Sequence, residues 1–295
     1  MEKVLITGCS GFIAHHLIPA CQKRGLYVVG VDKRPIPEGH AVPDLFIQTD
    51  VCDLGFRDLL GVPYAIHLAC ATSIPNSVRH PKETTEENIG MTLHLLEVAK
   101  DARLKKFLFP STASLYSDNP TPWKETMQPK PIEPYSWQKL SCESLCQMYS
   151  QIYGVPTVVF RFFQVFGEFQ RDDTALAAFI RLKKEGKPVT LTKTRPESKF
   201  RSGQRDFIYA GDVAEAVVSA LASDKVGSGE IINIASGKIN TMEEVAKAMG
   251  AKIEWIARRE YEVERHHGSI TQAKKLLGWS PKIDVIKWLK SYSYN

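Results

Sequence analysis

Short β-branched and aromatic runs alternate along the first half of the chain with stretches whose apolar residues recur at helical spacing. Lys3-Val-Leu-Ile-Thr7, Tyr27-Val-Val-Gly-Val-Asp32, Leu45-Phe-Ile-Gln48, Tyr64-Ala-Ile-His-Leu68, Lys106-Phe-Leu-Phe-Pro110 and Thr157-Val-Val-Phe-Arg161 read as strands. Between them, Asn88 to Ala102 brings Ile89, Leu93, Leu96 and Val98 near one helix face, and Tyr135 to Tyr153 reads as a second long helix. Strands and helices in this rhythm specify βαβ units and a parallel sheet with the helices flanking it.

After Arg161 the rhythm changes to a loop rich in glycine and charge, a helix from about Thr174 to Glu185 and an irregular basic segment from Lys193 to Gln204. A strand Arg205-Asp-Phe-Ile-Tyr209, a helix Gly211 to Ser223 and a strand Glu230 to Ile234 follow, then helices near Met242 to Met249 and Ile270 to Leu277. The pattern predicts an α/β protein of two units. Residues 1–165 with about 205–235 form the sheet domain, and about 166–204 with 236–295 form a smaller C-terminal α/β domain.

Composition narrows the class without naming a function. With 295 residues, 43% hydrophobic and 24% charged, the chain has the makeup of a globular protein. The net charge of +5, from 38 basic and 33 acidic residues, is too mild and too dispersed for a nucleic-acid surface, and suits a small anionic ligand equally well. The six cysteines lack metal-type pairing, and Cys142 and Cys146, one helical turn apart, have no accompanying His or second pair, so no metal is expected. Met1-Glu-Lys3 leads straight into a strand and no 18-residue apolar run occurs, so neither a signal peptide nor a membrane span is expected and a cytoplasmic location is.

The first strand runs into Thr7-Gly8-Cys9-Ser10-Gly11-Phe12-Ile13-Ala14, and His15-His16-Leu17 opens a helix. Gly8 and Gly11 allow a tight turn and close approach of backbone N–H groups to a pyrophosphate at the helix N-terminus, with Ala14 small enough for helix–strand packing. This is the Rossmann arrangement of a doubly wound sheet. Asp32, ending the second strand, can accept hydrogen bonds from both adenosine ribose hydroxyls and repel a 2′-phosphate, which favours NAD; its alternative role is a turn cap. Lys33 and Arg34 follow at once and could host the phosphate of NADP.

Tyr135-Ser-Trp-Gln-Lys139 places a phenol and an ammonium at i and i+4 on one helix face. A neighbouring ammonium favours the phenolate, which makes Tyr135 a proton acceptor for a sugar hydroxyl, and Lys139 can also hold a nicotinamide ribose. Pro110-Ser111-Thr112-Ala113-Ser114 ends a parallel strand where ligands bind, so the Thr112 hydroxyl, and less strongly that of Ser111, can meet the reacting oxygen; the alternative is that these residues cap a loop.

These residues together resemble the extended short-chain dehydrogenase/reductase family, in particular the NAD-dependent sugar-nucleotide epimerase and dehydratase group typified by UDP-glucose 4-epimerase. The resemblance spans nearly the whole chain, through Thr7 to Ile13, Asp50-Val51, His67-Leu-Ala-Cys-Ala71, Asn88, Ser111 to Tyr116, Tyr135 to Lys139, Arg161-Phe-Phe-Gln-Val-Phe-Gly167, Arg205 to Tyr209, Asn233 to Gly237 and Ala273 to Trp279. It implies that Gly8, Gly11, Phe12, Ile13, Asp32, Asp50, Val51, Leu68, Ala69, Cys70 and Phe162 serve the cofactor. It further implies that Thr112, Tyr135 and Lys139 are catalytic, that Asn88, Arg205, Arg259 and Glu262 serve the active site or the substrate nucleotide, that Ser111 and Gln164 meet the substrate, and that the smaller domain binds it. A guanidinium such as Arg205 can hold a diphosphate bidentately, or pair with Asp206.

Departures from the family pattern discriminate among reactions. The 4,6-dehydratase branch carries an Asp-Glu pair where this chain has Ala113-Ser114, which argues against dehydration. Gln164 replaces an Asn, Ser269 replaces an Asp, and residues 194–201 form an insertion. The expectation is therefore an NAD-dependent epimerase acting at C4 of a nucleotide sugar of the UDP-hexose type through a 4-keto intermediate, working as a homodimer. The alternatives are a nucleotide-4-keto-sugar reductase and a dinucleotide-binding sensor without chemistry.

Overall fold

The structure, a computed structural model, describes residues 1–117, 119–258 and 263–294. The first half runs β1 (Lys3–Thr7), α1 (Phe12–Lys23), β2 (Tyr27–Asp32), β3 (Leu45–Gln48), β4 (Tyr64–His67), α2 (Ile74–Arg79), α3 (Pro81–Asp101), β5 (Lys106–Thr112) and α4 (Pro134–Tyr153). The chain continues through β6 (Thr157–Phe162), β7 (Gln164–Phe166), α5 (Ala175–Lys184), β8 (Val189–Thr192), β9 (Gln204–Arg205), β10 (Phe207–Tyr209) and α6 (Ala210–Ala222). It closes with β11 (Ser228–Ile234), β12 (Asn240–Thr241), α7 (Met242–Ala248), β13 (Ile253–Ile256), α8 (Thr271–Leu277) and α9 (Val285–Ser291).

Seven of the described strands form one parallel sheet in the order β11-β6-β5-β4-β1-β2-β3. Strand order reverses between β1 and β4, and the crevice at such a switch point opens at the carboxyl ends of the strands. Alternation of side chains decides which helices cover which face. Val4 and Ile6 of β1 join Val158 and Phe160 of β6 in a cluster with Leu17 and Ile18 of α1 and Val213 and Val217 of α6. Leu5, Phe107, Phe109 and Val159 point the other way, into a cluster with Leu95 and Leu96 of α3 and Cys142 and Cys146 of α4. These two thiols are core residues, and burial pushes that of Cys142 up to about 11.

A third cluster gathers Phe166, Leu176, Phe179, Val189, Phe207, Val245 and Leu289 beside the sheet. The C-terminal tail divides between clusters, since Ala273 and Trp279 pack with the first and Val285 and Leu289 with the third. Several sequence expectations need correction. Helix α3 starts at Pro81, seven residues before the expected Asn88, with proline at its first turn, and Leu93 lies on the exposed side. The expected strand from Arg205 to Tyr209 is two strands: β9 pairs with β12 and β10 with β7, and between them the Asp206 side chain turns inward to bond the Ser236, Gly237 and Gly268 amides. No helix among the described residues is long and apolar enough to cross a membrane.

Under the crevice, His67 of β4 is fully buried, with Nδ1 2.8 Å from Thr7 Oγ1 and Nε2 3.3 Å from Thr92 Oγ1. Burial, reinforced by the Lys139 charge, pushes its pKa down to about 3. The unfolded chain can protonate this imidazole below about pH 6.5 and the folded chain cannot, so stability is lost as pH falls from there. We expect the unfolding free energy to drop by up to about 1.4 kcal/mol per pH unit from this group between pH 6.5 and 5, and a His67→Gln variant to have a shallower slope in denaturant titrations.

Candidate active site

The carboxyl ends of β1, β2, β4, β5 and β6 meet around one cleft of about 780 Å³. At its first end, Gly8 has φ +69° and approaches the β4 end so closely that a Cβ there would sit 2.7 Å from the Ala69 nitrogen. Glycine is the residue that tolerates both the left-handed backbone and the contact. Gly11, the N-cap of α1, leaves the first-turn N–H groups without a side-chain cap. The Gly11 amide closes the turn on the Gly8 carbonyl at 3.0 Å, while Phe12 and Ile13 line the cleft with first-turn N–H groups that no side chain caps, at the positive end of a helix. An anionic pyrophosphate satisfies both.

Asp32 is buried and does two jobs. Its Oδ2 accepts from the Ser10 amide at 3.1 Å and its Oδ1 from the Arg34 amide at 2.9 Å, so it fastens the glycine turn as well as facing the cleft. The cations beside it are already occupied. Lys33 Nζ lies 2.7 Å from Glu87 Oε1 of α3, and Arg34 Nε lies 3.5 Å from Asp32 Oδ1. Although paired, both cations stay largely exposed and Arg34 touches Asp32 through Nε alone, so discrimination against a 2′-phosphate rests on the Asp32 carboxylate, which repels it and offers acceptors to ribose hydroxyls. Asp50 and Val51 line the same end, Asp50 capping a short turn through the Cys52 amide at 2.9 Å.

Leu68, Ala69 and Cys70 continue the wall toward the second end, which Phe162 and Gln164 flank. Helix α4 starts with Pro134 in its first turn and with Glu133, whose carboxylate accepts from the Ser136 amide at 3.0 Å, as cap. This start sets Tyr135 and Lys139 one turn apart over the end of β5. Lys139 Nζ is buried, donates to the Pro110 carbonyl at 2.8 Å and lies 4.6 Å from the centre of the Phe109 ring. Burial pushes the Tyr135 phenol up to about 12, while the Lys139 ammonium pulls it back toward ionisation and Arg171 adds a weaker pull. Burial alone would lower the Lys139 pKa, but Cys70 and Tyr135 outweigh it and hold the pKa above the usual value.

Thr112 lines the cleft and also caps the turn after β5, its Oγ1 accepting from the Ser114 amide at 3.1 Å and donating to Ser114 Oγ. The unspent hydroxyl is that of Ser111, buried and without a partner among the described residues. A buried hydroxyl in that state at the wall of a cleft is a place for a ligand atom. Uncapped helix donors, an Asp acceptor and an orphan hydroxyl together fit an NAD molecule lying along the cleft.

Two expected substrate contacts lie elsewhere. Asn88 is buried behind the wall, where its Oδ1 accepts from the Ala71 amide at 2.8 Å and its Nδ2 donates to the Ala71 carbonyl and to Gln138 Oε1. It shapes the cleft from behind. Arg205 donates from Nη1 to the Gln204 and Glu264 carbonyls and does not line the cleft. The expected contacts at Arg259 and Glu262 fall outside the described residues. Sequence reading missed His40, Glu87, Phe169, Arg171 and Thr174, all of which line the cleft. Glu87 was hidden by placing the start of α3 at Asn88, and the others sit in loops without periodicity.

Residues 4–235 match the model of the NAD dependent epimerase/dehydratase family. The chain belongs to this family. Among its relatives, the UDP-glucuronate 4-epimerase of Thermodesulfobacterium geofontis is 30% identical over 98% of this chain and 94% of its own length. Among solved structures, the UDP-glucuronic acid 4-epimerase of Bacillus cereus, in complex with UDP-glucuronic acid and NAD, superposes with a TM-score of 0.86 at 28% identity, covering 98% of this chain and 97% of that one. The UDP-glucose 4-epimerase of Thermotoga maritima, solved with UDP-glucose, gives a TM-score of 0.85 at 29% identity over 98% and 96% of the two chains. As a member of this family with a buried carboxylate, Asp32, facing the cleft, the protein should prefer NAD, and an Asp32→Ser variant should shift the ratio of NADP to NAD affinity toward NADP by about tenfold or more, worth about 1.4 kcal/mol. Calorimetric titration with both dinucleotides checks this, and an unchanged ratio contradicts it.

Proposed function

We infer that the protein is an NAD-dependent nucleotide-sugar epimerase acting at C4, with Tyr135 as the proton-transferring group. The observation that carries this reading is the position of Lys139: an ammonium held at the end of β5 by the Pro110 carbonyl, beside the Tyr135 phenol and next to Ser111 and Thr112. A phenol whose pKa burial has raised is a poor base alone, and a fixed positive charge corrects this. When bound, NAD supplies hydride acceptance and return at the sugar carbon, and its positive ring adds to the ammonium in favouring the phenolate.

In this scheme Tyr135 takes the proton of the C4 hydroxyl, leaving a 4-keto sugar, and gives the proton back after the sugar has turned. Thr112, and the free Ser111 hydroxyl beside it, hydrogen-bond the reacting oxygen. Gln164 meets the sugar or its diphosphate, while Arg259 and Glu262 serve the nucleotide. Gly8, Gly11, Phe12, Ile13, Asp32, Asp50, Val51, Leu68, Ala69, Cys70 and Phe162 hold NAD together with Lys139, and Lys33 and Arg34 edge its ribose. Ala113 and Ser114 offer no carboxylate pair for eliminating water, which separates the reaction from 4,6-dehydration. The sheet unit carries the cofactor, and the smaller unit around the third apolar cluster carries the sugar nucleotide, of UDP type by analogy with the relatives.

The same proposal includes a cytoplasmic homodimer. Helices α3 and α4 pack side by side and leave Leu93 on one and Trp137 on the other exposed, apolar surface that a second copy would cover. Sedimentation should give a dimer for the native chain and a monomer for Trp137→Glu with Leu93→Glu; a monomeric native chain contradicts this part. For the chemistry, Tyr135→Phe should lower kcat by about 10²- to 10⁴-fold while nucleotide-sugar binding stays within a few-fold. NMR of products from a UDP-sugar panel and calorimetric binding check the two halves.

A further inference from the structure

We propose that Phe169, with His15 and His40, forms an aromatic clasp that closes the cofactor end of the cleft and sets how slowly NAD leaves. The proposal rests on the reading of the cleft as an NAD site and is independent of which sugar is turned over. The three rings come from three separate places: His15 from the first turn of α1, His40 from the loop between β2 and β3, and Phe169 from the segment between β7 and α5. Ring centres of His15 and Phe169 lie 4.2 Å apart, those of His40 and Phe169 4.7 Å, and those of the two histidines 5.2 Å.

Polar contacts hold the clasp at both ends. The Ala41 amide donates to His15 Nδ1 at 3.1 Å, tying the β2–β3 loop to α1. His16 Nε2 donates to the Glu168 carbonyl at 3.1 Å, tying the other segment to the same helix turn. Burial lowers the pKa of both His15 and His40, which favours uncharged rings at neutral pH; the two histidines meet edge-on, as do His40 and Phe169, while His15 and Phe169 are tilted by 41°.

The placement of Phe169 costs the chain something that core packing does not return. Its φ is +61°, in the left-handed region that a residue with a bulky side chain rarely enters, yet 47% of the residue is exposed. Strain of this kind persists where function or surrounding structure imposes it. Phe169 and His40 both line the cleft that also holds Gly8, Gly11 and Asp32. His40 Nδ1 is buried there without a hydrogen-bond partner among the described residues, which leaves it a polar atom for a bound dinucleotide to satisfy. Gly39 comes under the Phe169 ring, where a Cβ would sit 3.5 Å from it. A dinucleotide lying on the glycine turn and Asp32 would therefore be walled in by the clasp and could leave only after the rings part. An epimerase that reuses one NAD through every turnover gains from that retention.

The test loads the native chain and its variants with NAD, dilutes them into an alcohol dehydrogenase trap that reduces released NAD, and follows the rate of NADH appearance. Phe169→Gly and Phe169→Ala should release NAD at least about tenfold faster than the native chain, since changes within one site act mostly on dissociation, and Phe169→Tyr should keep the native rate. Glycine accepts the left-handed backbone, so the ligand-free Phe169→Gly protein should melt no lower than the native one, which separates loss of the clasp from loss of the fold. Native-like release from Phe169→Gly overturns the clasp while leaving the cofactor reading intact. A native chain that binds no NAD overturns both.

Discussion

Lys139 brings a positive charge to the nearly dry end of β5, where its ammonium bonds the Pro110 carbonyl over the face of Phe109. A buried charge is tolerated only where partners replace water, and supplying those partners organises the neighbourhood. Helix α4 must lie against β5, Tyr135 must sit one turn before Lys139, and the Cys70 segment must close from the other side. A second buried charge pins the same helix one turn further on: Arg161 of β6 meets Glu143 of α4 through two bonds of 2.9 and 2.7 Å, both side chains almost fully enclosed. Removing one partner of such a pair costs about 3–5 kcal/mol. Helix α4, which presents Tyr135 and Lys139 to the cleft, is thereby fixed against two neighbouring strands.

The wall opposite α4 is held with comparable economy of parts. Gln138, next to Lys139 in sequence, donates to Thr84 and Thr85 of α3 and accepts from Asn88, and Asn88 grips both backbone groups of Ala71. The loop that lines the cleft after β4 is therefore positioned by the same two helices that cover the sheet. Fold and site share their fasteners, as they do at Asp32, which orders the glycine turn with the carboxylate that faces the ribose end.

Much of this was legible in the sequence because it rests on local patterns. The bounds of β1, β2 and β3 follow from their apolar runs, and the glycine turn and Tyr135 to Lys139 are readable because turn geometry and helical spacing are short-range properties. What was not legible depends on partners distant in sequence. Strands β7, β9, β10 and β12 are two or three residues long and exist through pairing. Asn88 stands out in the sequence, but only the packed structure reveals that its amide is spent on Ala71 and Gln138 behind the cleft wall. Phe169 and His40 of the clasp lie in loops whose sequences carry no periodicity, and the commitment of Lys33 to Glu87 spans 54 positions.

The central claim is that one carbon of a nucleotide sugar loses and regains its hydrogen inside this cleft, with Tyr135 moving only the hydroxyl proton. Incubation of the protein with a UDP-hexose or UDP-hexuronate deuterated at C4, followed by NMR of the recovered sugars, tests it directly. The account predicts two C4 epimers that both retain deuterium at C4, in ordinary water and without added NADH. Epimers that have exchanged that deuterium for solvent hydrogen, or inversion at a different carbon, would contradict it.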